Sequence, residues 1–316
     1  MPPTTCRRLA LVAIIAVVWA GLPAARAEPS VAADRAEQIL FGDHPPGACA
    51  PITDAPAHVR CLLSARYGRS RTALRLVLAL YDEMGDVAGS EEETDLDGGY
   101  RGTIHLVPAL PVGDAEEHLR WILGAQREIE GFLAGLGRRA GAPLSYRHRA
   151  LAWRFFRSIK RRTPSAYAAA WEVGYNVVGS LNSSAMGVRD TLFHEIFHLN
   201  DAAHDGWSRR ELGDLVDGII ARCGTDSACL SPYAPTATQV KKTGTYYAFQ
   251  PDNGDNANEY AAELATRYFI EQRAALRGER PSGVRFKCGP EENRRAWRAL
   301  ADEFFGGVDL VPPCRP

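Results

Sequence analysis

Leu119, Ile122, Leu123, Ile129, Leu133 and Leu136 recur at intervals of three, four and seven or so positions, which predicts an amphipathic helix over residues 114 to about 139. Asp114 and Glu117 read as its capping box. Leu151, Ala152, Phe155, Phe156 and Ile159 repeat at helical spacing inside a basic stretch, 147–162. The charges there are then the wet face of a second amphipathic helix, with Thr163-Pro164-Ser165 as its breaker. Strands are predicted at 73–81, where Leu alternates with other residues, and at 102–107. The acidic stretch between them, 82–99, reads as a solvated hairpin loop, because its carboxylates lack the fixed spacing of a calcium loop. Residues 167–181 read as extended, and 171–178 offer an edge for a peptide to pair with. A helix over 191–203 follows. Ser208 and Glu211 read as a capping box for a helix to about residue 222. Residues 224–256 look irregular, and a last long helix runs from about 258 to 277 before Gly278.

The start of the chain follows a different logic. Arg7-Arg8, an apolar run over 9–22 and Ala25-Arg26-Ala27 have the layout of a secretory signal peptide cleaved after Ala27. The apolar run is too short to favour a membrane anchor. Residues 28–60 are expected to form an N-terminal segment of weak periodicity, and 61–316 a single main domain. Six Cys remain beyond the signal, an even number that points to disulfides in an exported protein. Proximity favours Cys49–Cys61, Cys223–Cys229 and Cys288–Cys314. The formal net charge of −1 gives no global attraction to nucleic acid or anionic lipid, so neither is expected as a partner.

Chemistry concentrates in the segment His194-Glu195-Ile196-Phe197-His198. Positions four apart share a helix face, so His194 and His198 can bind one Zn²⁺, and Glu195 can reach a zinc-bound water as general base. A catalytic zinc needs a third protein ligand. His204 stands ten residues after His194, at metzincin spacing, but the chain between carries Asp201 where metzincins turn, and no Met follows the motif. The alternative is Glu259, with Glu263 one turn on, where the second carboxylate would hold a ligand imidazole by its other nitrogen.

His194-Glu195-x-x-His198-x-x-Asp201 followed by Glu259-x-x-x-Glu263 resembles the gluzincin metallopeptidases, most of all the anthrax-lethal-factor type of catalytic domain. The likeness covers roughly 190–270. It implies a zincin-like α+β fold, with a small mixed sheet and a helical C-terminal half, and Glu259 as third ligand. It also implies a Tyr shortly before the second motif to stabilise the oxyanion. Tyr246 and Tyr247 both stand near that place, and Tyr247 is assigned the role. The interval between the two motifs departs from the family in its length, its Cys pair and its Pro/Gly-rich loop. The expected activity is zinc-dependent cleavage of amide bonds in a peptide or protein substrate outside the cytoplasm. The alternatives are a catalytically silent zinc-binding protein of the same fold and a metzincin-like peptidase using His204.

Overall fold

The computed structural model describes residues 30–314 apart from 142, 241–243, 252–253 and 280–282. The expected signal peptide lies outside them. In chain order the helices are α1 (Ala33–Phe41), α2 (Ala55–Tyr67), α3 (Arg71–Met84), α4 (Glu116–Ala140), α5 (Ala185–Ala203), α6 (Trp207–Cys223), the short α7 (Ser227–Leu230), α8 (Asn256–Leu276) and α9 (Glu291–Phe304). The strands are β1 (Val87–Ser90), β2 (Thr94–Asp97), β3 (Thr103–Pro108), β4 (Ala152–Ser158), β5 (Ala166–Ala169) and β6 (Glu172–Asn176). This is a mixed α+β fold with a helical C-terminal half. The strands form one mixed sheet in the order β2-β3-β4-β6-β5. One edge of β4 pairs in parallel with β1 along its first half and antiparallel with β3 along its second. Its other edge pairs in parallel with β6. The terminal strand β5 packs on α5.

One apolar core fills the space between the sheet and the helices, and α1 and α2 contribute Ile39, Leu40, Val59, Leu62 and Leu63 to it. A small second cluster, Ile104, Leu106 and Phe156, lies apart from it. The three Cys pairs form as proximity favours: Cys49–Cys61, Cys223–Cys229 and Cys288–Cys314. Such bridges persist in oxidising compartments. Among the described residues no helix is long and apolar enough to cross a membrane.

Several expectations hold and several fail for identifiable reasons. The strand expected at 102–107 is β3, and the helix expected at 114–139 is α4. The strand expected at 73–81 is helix α3. Its buried positions, Ala73, Leu76, Val77, Leu80 and Tyr81, have helical spacing, and Leu, Ala and Arg are strong helix formers. Ser70 caps its start by accepting from the Ala73 N–H, and Gly85 ends it in the left-handed region at φ 76°. The helix expected over the basic stretch is strand β4. Both of its faces are covered, with Trp153 and Phe155 in the main core and Phe156 in the small one, so it lacks the alternation of a half-exposed strand. The acidic stretch holds two strands, of which β1 is buried beside β4. The extended stretch is the hairpin β5–β6, turned at Ala170 and Trp171 with φ of 50° and 62°. That pairing puts β6 inside the sheet, so the open edge belongs to β5 and not to 171–178.

Neither capping box forms. A 3-10 turn at Gly113–Ala115 leads into α4, whose cap residue, Ala115, makes no side-chain bond. Gly206, in the left-handed region at φ 64°, starts α6, and the Ser208 N–H is taken by Asp201 from the preceding helix.

Asp86, at the entry to β1, is 1% exposed and ties the sheet to α4. Its carboxylate accepts from Leu151 N (2.8 Å), Trp153 Nε1 (2.8 Å) and Gln126 Nε2 (2.7 Å). Burial pushes its pKa up to about 6 against the pull of His148 and these donors, so it is ionised at neutral pH. Asp86→Ala strands three buried donors, each costing about 1–3 kcal/mol. The expected loss in urea denaturation at pH 7.5 is therefore about 3 kcal/mol or more. A loss under about 1 kcal/mol would mean that the network stabilises far less than its geometry implies.

Candidate metal centre

Helix α5 is fixed at its start by Ser184, whose hydroxyl accepts from the Gly187 N–H at 3.1 Å. Its framing side chains, Leu192, Phe193, Ile196, Phe197 and Leu199, are all buried. Burying that frame leaves one outward face, and the spacing of four places both histidines on it. Their Nε2 atoms lie 3.0 Å apart, with the rings edge to face. Helix α8 starts at Asp255, whose carboxylate accepts from the N–H groups of Ala257 and Asn258. Glu259 follows in its first turn. The small residues Ala257, Ala261, Ala262 and Ala265 are fully buried, and they let α8 lie close against its neighbours. Farther along, Phe193 of α5 stacks on Phe269 of α8 with ring centroids 4.4 Å apart.

This packing carries Glu259 to the histidines. Its Oε2 lies 3.2 Å from His194 Nε2 and 3.7 Å from His198 Nε2. Among the described residues, His194, His198 and Glu259 are the group of donors close enough together to hold a metal ion. Glu259 Oε2 is buried without a hydrogen bond of good geometry. Two imidazole nitrogens and a carboxylate oxygen thus face one point, a donor set suited to a divalent transition ion.

The charges around this point are strongly coupled. Burial acts to raise the Glu259 carboxyl, but the two imidazoles beside it outweigh that effect and hold the group well below the usual carboxylate range. Burial acts to lower His198, and Glu259, Glu195 and Asp201 together outweigh it and raise its pKa. Glu195, in the same helical turn, is 7% exposed, and burial raises its pKa against the pull of His194 and His198.

Tyr247 stands at the edge of the group, its ring centroid 6.4 Å from that of His194. The short 3-10 segment Tyr247–Phe249, in the otherwise irregular stretch before α8, brings it there. Arg101, on the β2–β3 connection, lies over that ring at 5.8 Å, a neighbour that no sequence pattern announced. Tyr260 is buried and faces Phe249 instead.

His204 does not join the cluster. It caps the end of α5, where its Nδ1 pairs with Glu303 at 2.6 Å and its ring lies against Phe304. The helix runs on past His198 to Ala203 with no turn that would bring His204 back. Glu263 does not hold an imidazole either. Burial pushes its pKa up to about 8, with the charge of Glu259 adding to the rise, and His198 Nδ1 is left without a hydrogen-bond partner among the described residues. The chain matches no family model, no curated protein and no solved structure.

Proposed function

We propose that the chain is a zinc-dependent hydrolase of amide bonds, an exported endopeptidase with a gluzincin-type centre on a zincin-like fold. The observation that carries this reading is the convergence of His194, His198 and Glu259 from two helices beside the buried carboxylate of Glu195. The spacing fits zinc. With ligand distances of about 2.0–2.1 Å, tetrahedral donors lie about 3.3–3.4 Å apart. The separations of 3.0, 3.2 and 3.7 Å bracket that value. The setting of Glu259 Oε2 fits as well, since it is buried against the two imidazole nitrogens at 3.2 and 3.7 Å without a hydrogen bond of good geometry to either.

Zinc, when bound, supplies Lewis-acid polarisation of the scissile carbonyl and makes water a nucleophile near neutral pH. His194, His198 and Glu259 hold it. Glu195 takes the proton of the attacking water and delivers it to the leaving nitrogen, which suits a carboxylate whose pKa is raised by burial. The Tyr247 hydroxyl donates a hydrogen bond to the developing oxyanion. The substrate is a peptide or protein segment in extended form, for which β5, the terminal strand beside α5, offers open backbone groups.

The test is incubation of the purified protein with a mixture of peptides, before and after chelation and again after zinc is restored, with fragments identified by mass spectrometry. Cleavage that disappears on chelation and returns with zinc is the expected result. Zinc retained without cleavage of any peptide would overturn the hydrolase reading and leave a zinc-binding protein of the same fold.

A further inference from the structure

The third donor reaches the centre from far away. Glu259 lies 61 residues beyond His198, past α6, α7 and a mostly irregular stretch. The aromatic stack of Phe193 on Phe269 anchors α8 ten residues farther along. At the end that bears Glu259, Ala257, Ala261 and Ala262 allow close approach but interlock little, while Tyr260 packs on Phe249 and Asn256 Nδ2 donates to the carbonyls of Ala248 and Gln250, which tie α8 to the preceding segment rather than to α5. Rotation of α8 about its axis matters there. A carboxylate about 6 Å from a helix axis moves by about 1 Å for a rotation of about 10°. Metal–ligand distances tolerate only about 0.2 Å.

Three hydrogen bonds converge at this end of α8. Asp201 is 3% exposed and sits one turn beyond His198 on α5. Its Oδ1 accepts from Ser208 N at 2.7 Å, and its Oδ2 from Ser208 Oγ at 2.8 Å and Asn258 Nδ2 at 2.8 Å. The turn at Asp205-Gly206, both with positive φ, reverses the chain so that the start of α6 points its N–H groups at this carboxylate. A helix N-terminus favours negative charge, which suits a carboxylate acceptor at this point. Asn258 is the residue immediately before Glu259, about 100° round the same helix.

We infer that Asp201 and Asn258 are positioning residues, a clamp that sets the rotation of α8 and thereby places Glu259 opposite His194 and His198. This rests on the reading of those three residues as a metal centre. Asn258 donates to Asp201 and Ser208 and acts through the position of Glu259.

A double-mutant cycle on zinc affinity tests it, with affinities measured by chelator competition on metal-free protein and melting recorded for each metal-free variant. Asn258→Ala should weaken zinc by about 10–100-fold, the usual effect of losing an outer support, while the metal-free protein still melts cooperatively. In a Glu259→Ala background the same change should cause no further loss, because the residue it positions is gone. Asn258→Leu, which keeps the volume and removes the bond, should behave as Asn258→Ala does, and it serves where the alanine variant does not fold. Equal losses in both backgrounds would assign Asn258 a general structural role and overturn the clamp. Unchanged affinity in Asn258→Ala would do the same. Absence of zinc binding by the unaltered protein would instead overturn the metal reading itself, a failure distinct from either.

Discussion

Glu195→Gln should leave zinc affinity nearly intact and reduce amide hydrolysis by about 10²–10⁴-fold, the usual worth of a positioned general base. The substitution keeps the shape of a side chain that is 7% exposed and lies within the electrostatic reach of His194, His198 and Glu259. It removes the one property the reaction needs, a carboxylate able to take a proton from water and give it to the leaving amine. Glu195 is not among the three clustered donors, so its loss should not empty the site. Kinetics on a cleaved peptide, paired with zinc content of the same preparation, separate the two effects. Loss of metal together with activity would reassign Glu195 to structure. Full activity with zinc in place would place the base elsewhere.

The second large effect concerns the third donor. Glu259→Ala should lower zinc affinity by well over the 10–100-fold typical of outer supports, because it removes a direct ligand. His204→Ala should bind zinc as the unaltered protein does, since its imidazole is committed to Glu303 at the far side of the helix end. Glu263→Ala should fall between them or show little change. Its carboxyl makes no hydrogen bond to either imidazole among the described residues, and it acts on the centre through charge beside Glu259. The reverse order, with His204→Ala emptying the site and Glu259→Ala keeping it, would contradict the donor set.

These expectations were partly legible in the sequence because the first motif is local. Two histidines four apart on a helix, framed by Leu192, Phe193, Ile196, Phe197 and Leu199, define both the buried face and the face that carries the imidazoles without any long-range knowledge. The preference for Glu259 over His204 was legible too, from the lack of a turn residue between Leu199 and His204, and the helix does run unbroken there. The disulfides followed from closeness along the chain.

The failures have separate causes, and the first is that periodicity speaks only when one face is wet. Strand β4 is covered on both sides, so its aromatics at 153, 155 and 156 mimic a helical stripe. Helix α3 carries Leu at 74, 76, 78 and 80, a period of two that imitates a strand, while its cap at Ser70 and its stop at Gly85 state the helix more plainly. Both capping boxes failed because a side chain or turn from elsewhere took the position. Asp201, seven residues before Ser208, satisfies the N–H that a local cap would have served. The Asp201–Asn258 bond joins residues 57 apart, and no local pattern carries it.

The central claim is that one zinc ion sits between α5 and α8. Anomalous diffraction at the zinc absorption edge, on crystals of the zinc-loaded protein, tests it most directly. The account predicts a single strong peak per chain, about 2.0–2.2 Å from His194 Nε2, His198 Nε2 and a carboxylate oxygen of Glu259. A peak ligated by His204, or none between the two helices in fully loaded protein, would contradict it.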